Sequence, residues 1–230
     1  MRVVITGANR GLGLELARAY RAHGDVVIAG CRTPANAAEL NATGAEVRAY
    51  DQASAESIAA FAAVIGDRAV DVLINNAGID AAAFDVPSDQ RSVMVLDAGV
   101  LMEVLQVNTV GPMLLTRALA PNVAAATGKV VNITSQIASM EVSQRMGRDV
   151  SYAVSKAAFN MVSVKFAVAL KPDGVTVVAM HPGYLRTAMG GPGADLDPAD
   201  AARQIVDTIG RLTIADTATF IRWDGSIHPW

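Results

Sequence analysis

Short β-branched runs alternate with amphipathic stretches from the second residue onward. Residues 2–6 (RVVIT), 25–29 (DVVIA), 45–50 (AEVRAY), 70–74 (VDVLI), 129–134 (KVVNIT), 174–180 (GVTVVAM) and 219–223 (TFIRW) read as strands. Helical spacing fills the intervals 11–23, 35–41, 54–66, 98–125, 151–171 and 198–211. In the first of these, Leu12, Leu16, Ala19 and Tyr20 share one face, and Gly24 stands where a helix stops. Ser54 can cap the third helix, and Pro198 suits the first turn of the last one. Pro87, Ser88 and Asp89 break the pattern, with a short helix expected across 91–97. Pro121 is expected to perturb the end of the 98–125 helix, and 136–150 reads as a polar loop. The Gly/Pro-rich stretch 190–197 lies in an expected mobile loop spanning about 188–198.

Strands separated by helices imply parallel strands with crossover helices on both faces. Near-continuous apolar runs such as VVIA fit strands buried on both sides. The expected fold is α/β: a single-domain, Rossmann-type, doubly wound, mostly parallel seven-stranded sheet using residues 1–230. Ligands of such sheets bind outside the carboxyl ends of the strands, so the residues ending each strand carry the functional information.

Composition narrows the class. Of 230 residues, 52% are hydrophobic and 18% charged, which excludes intrinsic disorder. The net charge of −3, without a basic block, argues against nucleic-acid partners. Cys31 is the sole cysteine, so no internal disulfide forms, and it reads as a small packing residue. No apolar run is read as reaching the roughly 18 residues of a membrane helix, and the first strand begins at Arg2. The expectation is a soluble cytoplasmic protein with no membrane partner. His23, His181 and His228 lack metal-ligand spacing, so no metal site is expected.

The first strand ends in Thr6-Gly7-Ala8-Asn9-Arg10-Gly11-Leu12-Gly13 and runs into a helix. Glycines there permit a tight turn and let a phosphate approach the N–H groups of the helix start. The spacing G-x-x-x-G-x-G departs from both the dinucleotide fingerprint and the P-loop. Further motifs follow in order: Asn75-Asn76-Ala77-Gly78 after the fourth strand, Asn108 in the long helix, and Ser135 ending the fifth strand. Tyr152 and Lys156 then form Y-x-x-x-K, Pro182-Gly183 follows the sixth strand, and Thr187 lies beyond. Together they resemble the classical short-chain dehydrogenase/reductases over essentially the whole chain. The tail, with Trp223-Asp224-Gly225 and His228-Pro229-Trp230, and the HPGYLRT segment resemble that family's short C-factor or sniffer-like carbonyl reductase branch.

The resemblance implies a hydride-transferring oxidoreductase for a small carbonyl/alcohol substrate, with Ser135, Tyr152, Lys156 and Asn108 as its catalytic group. Tyr152 and Lys156, four residues apart, share a helix face. A lysine ammonium beside a phenol with an ordinary pKa of about 10 would lower it toward a useful acid–base range. Ser135 would orient the substrate oxygen, with Thr134 and Ser139 as rivals, and Asn108 would hold a water-mediated relay through Lys156. Ala138 stands where the family has glycine, and the Ser135–Tyr152 spacing is longer than usual.

No acidic residue follows the second strand, where NAD-binding relatives hold a ribose hydroxyl. Arg32, with Arg10, instead offers guanidinium groups suited to a 2′-phosphate, so NADP(H) is the expected cofactor. The resemblance places the cofactor on Gly7, Asn9, Arg10, Gly11, Leu12, Gly13, Arg32, Asp51, Asn75, Ala77, Gly78, Tyr152, Lys156, Pro182, Gly183, Leu185 and Thr187. Asp51 would meet the adenine, and Thr187 the carboxamide, fixing pro-S transfer. Met140, Met146, Tyr184 and Met189 suggest a broad apolar pocket. Arg145, Arg148 and Arg186 could grip an anion, although solvated arginines are the plainer reading. The family often forms dimers or tetramers, with 98–125 and 151–171 as candidate interface helices. Two other functions fit the same motifs: reduction of an activated alkene or imine, and a weakly catalytic or non-catalytic cofactor-binding regulator.

Overall fold

The computed structural model describes residues 1–145 and 149–230. Seven parallel strands form one sheet in the order β3-β2-β1-β4-β5-β6-β7: β1 Arg2–Thr6, β2 Val26–Cys31, β3 Glu46–Ala49, β4 Val72–Asn75, β5 Lys129–Ile133, β6 Thr176–His181 and β7 Phe220–Arg222. The helices are α1 Gly11–Ala22, α2 Ala38–Asn41, α3 Ala55–Ile65, α4 Ala98–Leu105, α5 Gly111–Ala125, α6 Met140–Ser143, α7 Val150–Leu170 and α8 Pro198–Arg211.

The two-residue repeat of the strands explains the layers. In β1, Val3 and Ile5 enter one core with Leu16 and Tyr20 of α1 and Ile205 and Ile209 of α8. Val4 points the other way, among Phe61 of α3, Leu115 and Leu119 of α5 and Ala167 of α7. Both faces are therefore covered, which is what an all-parallel sheet requires. The order reverses between β1 and β4, opening a crevice at their carboxyl ends.

Several local expectations change. Residues 91–97 form turns, and the short helical turns lie earlier, at Ala81–Phe84 and Ser88–Gln90, where Asp80 and Pro87 precede them. The 98–125 stretch is three pieces: α4, a π turn at Gln106–Val110, and α5. Pro112 lacks the N–H that a regular helix would direct at the Asn108 carbonyl, which accounts for the irregularity. Pro121, expected to perturb the last part of this stretch, lies inside α5, which continues to Ala125. The 35–41 helix is split into Pro34–Asn36 and α2. Ser139 caps α6 inside the expected polar loop by accepting the Val142 N–H.

Contrary to the expectation that no apolar stretch reaches that length, Ala98–Ala125 and Val150–Asp173 are long and apolar enough to span a membrane by length and composition, because the structure joins shorter apolar runs into continuous helical stretches. Here they lie along the sheet with a third to two-fifths of their most apolar windows buried, leaving an apolar outer face.

Candidate active site

Backbone conformation and, at Gly7, close packing demand glycine in the loop between β1 and α1. Gly7 and Gly11 have φ of +64° and +54°, the left-handed region that favours glycine. A Cβ on Gly7 would sit 2.8 Å from Ala77 Cα, and one on Gly11 would sit 3.4 Å from Thr187 Cγ2. Thr6 Oγ1 accepts the Asn76 and Ala77 N–H groups at 3.0 and 3.1 Å, tying the ends of β1 and β4 together. Asn76 Nδ2 donates to the Thr6 and Gly7 carbonyls. At the start of α1, Arg10 supplies no side-chain cap and no acidic residue stands in the first turn. Such a helix start suits a phosphate.

Arg10 and Arg32 are exposed, one just beyond β1 and the other just beyond β2. Those strands pair directly, with Thr6 opposite Gly30, and the Ala8 N–H donates to the Gly30 carbonyl at 3.1 Å. Neither arginine forms an ion pair with a described residue. Asp51 lies beyond β3, with its carboxylate accepting the Ala53 N–H. Asn9 is exposed in the loop, and Gly13 packs against it from the first turn of α1. The Leu12 and Leu185 side chains belong to the core, so only their backbones can meet a ligand. Pro182 and Gly183 follow β6, and Gly183 (φ +91°) lies against Leu196 and Trp223.

Asn75 ends β4. Its side chain is buried and donates to Thr116 Oγ1 (2.9 Å) and Asn132 Oδ1 (2.8 Å), within the packing of the sheet against α5. Its side chain is thus committed to the sheet, so only its backbone can meet a ligand, and Asn76 turns its side chain to the glycine loop.

Lys156 is 2% exposed. Its Nζ donates to the Ile133 carbonyl at 2.9 Å and lies 5.7 Å from the centroid of the Tyr152 ring. Burial pushes the amine down to about 7. Burial, with a smaller contribution from the Asp80 charge, pushes the Tyr152 phenol up. The shift of the phenol is thus opposite to the expected lowering by Lys156, because desolvation of the phenol itself dominates.

Ser135 ends the approach to a single helical turn, Gln136–Ala138, and accepts the Ile137 N–H. That bond occupies a lone pair and leaves the hydroxyl proton for another acceptor. Thr134 and Ser139, its rivals, are buried, and the Ser139 hydroxyl is committed to the Trp230 backbone oxygen at 3.1 Å.

Asn108 sits in the π turn. Its Oδ1 accepts the Ile79 N–H (2.9 Å), and its Nδ2 donates to the Ile79 carbonyl (2.7 Å) and Ser155 Oγ (2.9 Å). A Cβ on Gly78 would lie 3.2 Å from Asn108 Oδ1 and 3.3 Å from Lys156 Nζ, so Gly78 marks the point where these groups converge. Two supporting residues were missed from sequence. Buried Gln52 donates to the Ala77 and Val107 carbonyls at 3.0 and 2.6 Å, pinning the π turn to the end of β4. Ser155 bridges Asn108 to the Tyr152 carbonyl. Its place beside Lys156 was the available signal for Ser155, and nothing in the pattern marked Gln52.

His181 packs against Trp223 and His228, with burial and the charges of His228 and Arg222 holding it neutral at about 3. Arg186 binds the Ala194 and Asp195 carbonyls and so ties its own loop, whose base is closed by the Leu185–Leu196 bridge. Met140, Tyr184, Met189 and Arg145 are exposed nearby. Met146 and Arg148 lie outside the described residues.

This arrangement can bind an anion at the start of α1 and exchange a proton at Tyr152. A family model described as short chain dehydrogenase matches residues 1–195. C-signal of Myxococcus xanthus is 33% identical over 175 residues, covering 74% of this chain and 99% of that protein. The structure of the carbonyl reductase Sniffer of D. melanogaster superposes with a TM-score of 0.91 at 28% identity, covering 100% of this chain and 99% of that one. The NADPH-bound carbonyl reductase from chicken fatty liver gives a TM-score of 0.90 at 28% identity, over 100% and 98% of the two chains. With its motifs, its sheet order and these matches in agreement, the chain belongs to the short-chain dehydrogenase/reductase family of oxidoreductases.

Proposed function

We propose that the protein is an NADP(H)-dependent oxidoreductase acting on a carbonyl/alcohol pair through Ser135, Tyr152, Lys156 and Asn108. The observation that carries this reading is the buried Lys156 amine, held by one carbonyl beside Tyr152 at the mouth of the crevice. Burying an amine is costly, and such groups are kept where chemistry uses them.

The glycine cradle and the uncapped start of α1 fit a dinucleotide pyrophosphate. When bound, the nicotinamide supplies hydride to the substrate carbon. The remaining work falls to the protein. Ser135 donates its free hydroxyl proton to the substrate oxygen and holds it toward Tyr152. The raised pKa keeps Tyr152 protonated near neutrality, as a proton donor to a developing alkoxide requires. Lys156, titrating near 7, can both hold and release a proton there, and its unused N–H groups suit a ribose hydroxyl. The Asn108 side chain fixes the Ile79 backbone beside Lys156, and in this reading Asn108 anchors a water of the proton relay.

A panel of aldehydes, ketones, activated alkenes and imines, each with NADPH and NADH, tests this reading. Turnover confined to alkenes or imines, or none with either cofactor, would reject it. NADPH is expected to bind more tightly than NADH, because Arg10 and Arg32 stand exposed at adjoining strand ends. Charge-assisted bonds contribute about 1.5–3 kcal/mol, so a preference of about 10–100-fold is expected. Arg32→Asp should erode or invert it in a titration of both cofactors, whereas equal affinities in the unsubstituted protein count against the assignment.

The apolar outer face supports self-association. Val154, Met161 and Val168 are exposed at seven-residue spacing along α7, and Met102 is exposed on α4, which packs beside it. Monomers seldom leave so continuous a stripe uncovered, and a second copy covering it is expected to give a dimer or tetramer. Sedimentation should show a species that dissociates in Met161→Glu; a monomer at micromolar concentration would exclude this interface.

A further inference from the structure

After β7 the chain turns back on itself. Asp224 accepts the Ser226 N–H at 2.9 Å, and Gly225 (φ +88°) makes the turn. The Arg222 N–H donates to the Ser226 carbonyl, and the His228 N–H donates to the Phe220 carbonyl, both at 2.8 Å. Ile227 bridges antiparallel to Ile221. Residues 226–228 thus line the open edge of the sheet, and Trp230 stacks on Phe220 with ring centroids 5.5 Å apart. This brings the Trp230 backbone oxygen to Ser139 Oγ.

Ser139 directly follows the turn that begins at Ser135. That turn is tied locally by the Ala138 and Ser139 N–H groups on the Ser135 and Gln136 carbonyls, by the Ile137 N–H on Ser135 Oγ, and by Ser143 Oγ on the Ile137 carbonyl. The Ser139–Trp230 bond links it to a residue 91 positions away. Ser139 is completely buried; its oxygen also accepts the Val142 N–H, but its hydroxyl proton would lose its acceptor if segment 226–230 moved. We propose that the return segment 226–230 is a positioning element of the active site: anchored by Trp230 on Phe220, it fixes through Ser139 the turn that presents Ser135 to the substrate oxygen. Trp230 and Ser139 act here as positioning residues. The inference rests on the role proposed for Ser135.

Misplacing a reacting group by about 1 Å can cost about 10²-fold, so partial loosening of this turn is expected to cost about tenfold. Trp230→Ala should lower kcat/KM for a ketone by that amount, leave NADPH affinity unchanged, and raise amide hydrogen exchange across 136–143 but not in β5. Trp230→Phe, which keeps the stacking, should restore both turnover and protection. Ser139→Ala also removes the cap of α6, but it should cost less in the Trp230→Ala background than alone, because the shared bond is already gone. Unchanged exchange across 136–143 in Trp230→Ala, or equal costs of Ser139→Ala in both backgrounds, overturns the proposal. If the protein reduces no carbonyl, the proposed activity fails, while the exchange measurement still decides the role of the tail.

Discussion

Replacing Tyr152 with phenylalanine should lower carbonyl turnover by about 10²–10⁴-fold, the usual worth of a general acid–base group. The ring and its contact with Lys156 remain, and only the transferable proton is lost. NADPH affinity should therefore stay close to that of the unsubstituted protein. Single-turnover hydride transfer, followed by the loss of NADPH absorbance, separates the chemical step from binding. Turnover at the unsubstituted rate would mean that another group donates the proton. His181 is a poor substitute, since burial keeps it neutral, and Ser139 is committed to Trp230.

Lys156→Met should act differently, losing turnover and about 10–100-fold in cofactor affinity together, the worth of one charge-assisted hydrogen bond. Methionine fills similar space without a buried amine, so stability should hold. The pH dependence distinguishes this from general damage. The folded-state amine titrates at about 7 against an ordinary 10.5. Between those values the unfolded chain binds more protons than the folded one, so the contribution of Lys156 makes stability rise with pH across that window. Lys156→Met should flatten this rise in denaturant unfolding measured from pH 7 to 10. A slope that survives the substitution would place the titration elsewhere, and unchanged NADPH affinity would remove the ribose role.

The sheet was legible because its signal is local. Val3, Val4 and Ile5, or Val27, Ile28 and Ala29, announce two-sided burial in a single window of residues. The glycine loop and the Tyr152–Lys156 pair were legible for a related reason: a left-handed φ demands glycine, and four residues along a helix share a face wherever that helix lies. The side chains of Asn75 and Asn76 were not separable from sequence, because successive extended positions point to opposite faces. Which of Asn75 and Asn76 meets the crevice depends on the sheet, not on the Asn-Asn pair itself.

The sequence by itself determined the order of strands and helices, the crevice-end motifs and the absence of an acidic residue after β2, since each depends on residues close together in the chain. Tertiary structure alone decided the protonation tendencies of Tyr152 and Lys156. Desolvation sums over everything packed around a group, and Ile133 and Asp80 come from distant segments. It also decided that Gln52 would hold the π turn and that Trp230 would reach Ser139. Those partners are 55 and 91 residues apart, and no local pattern encodes a hydrogen bond made only when the sheet brings its strand ends together.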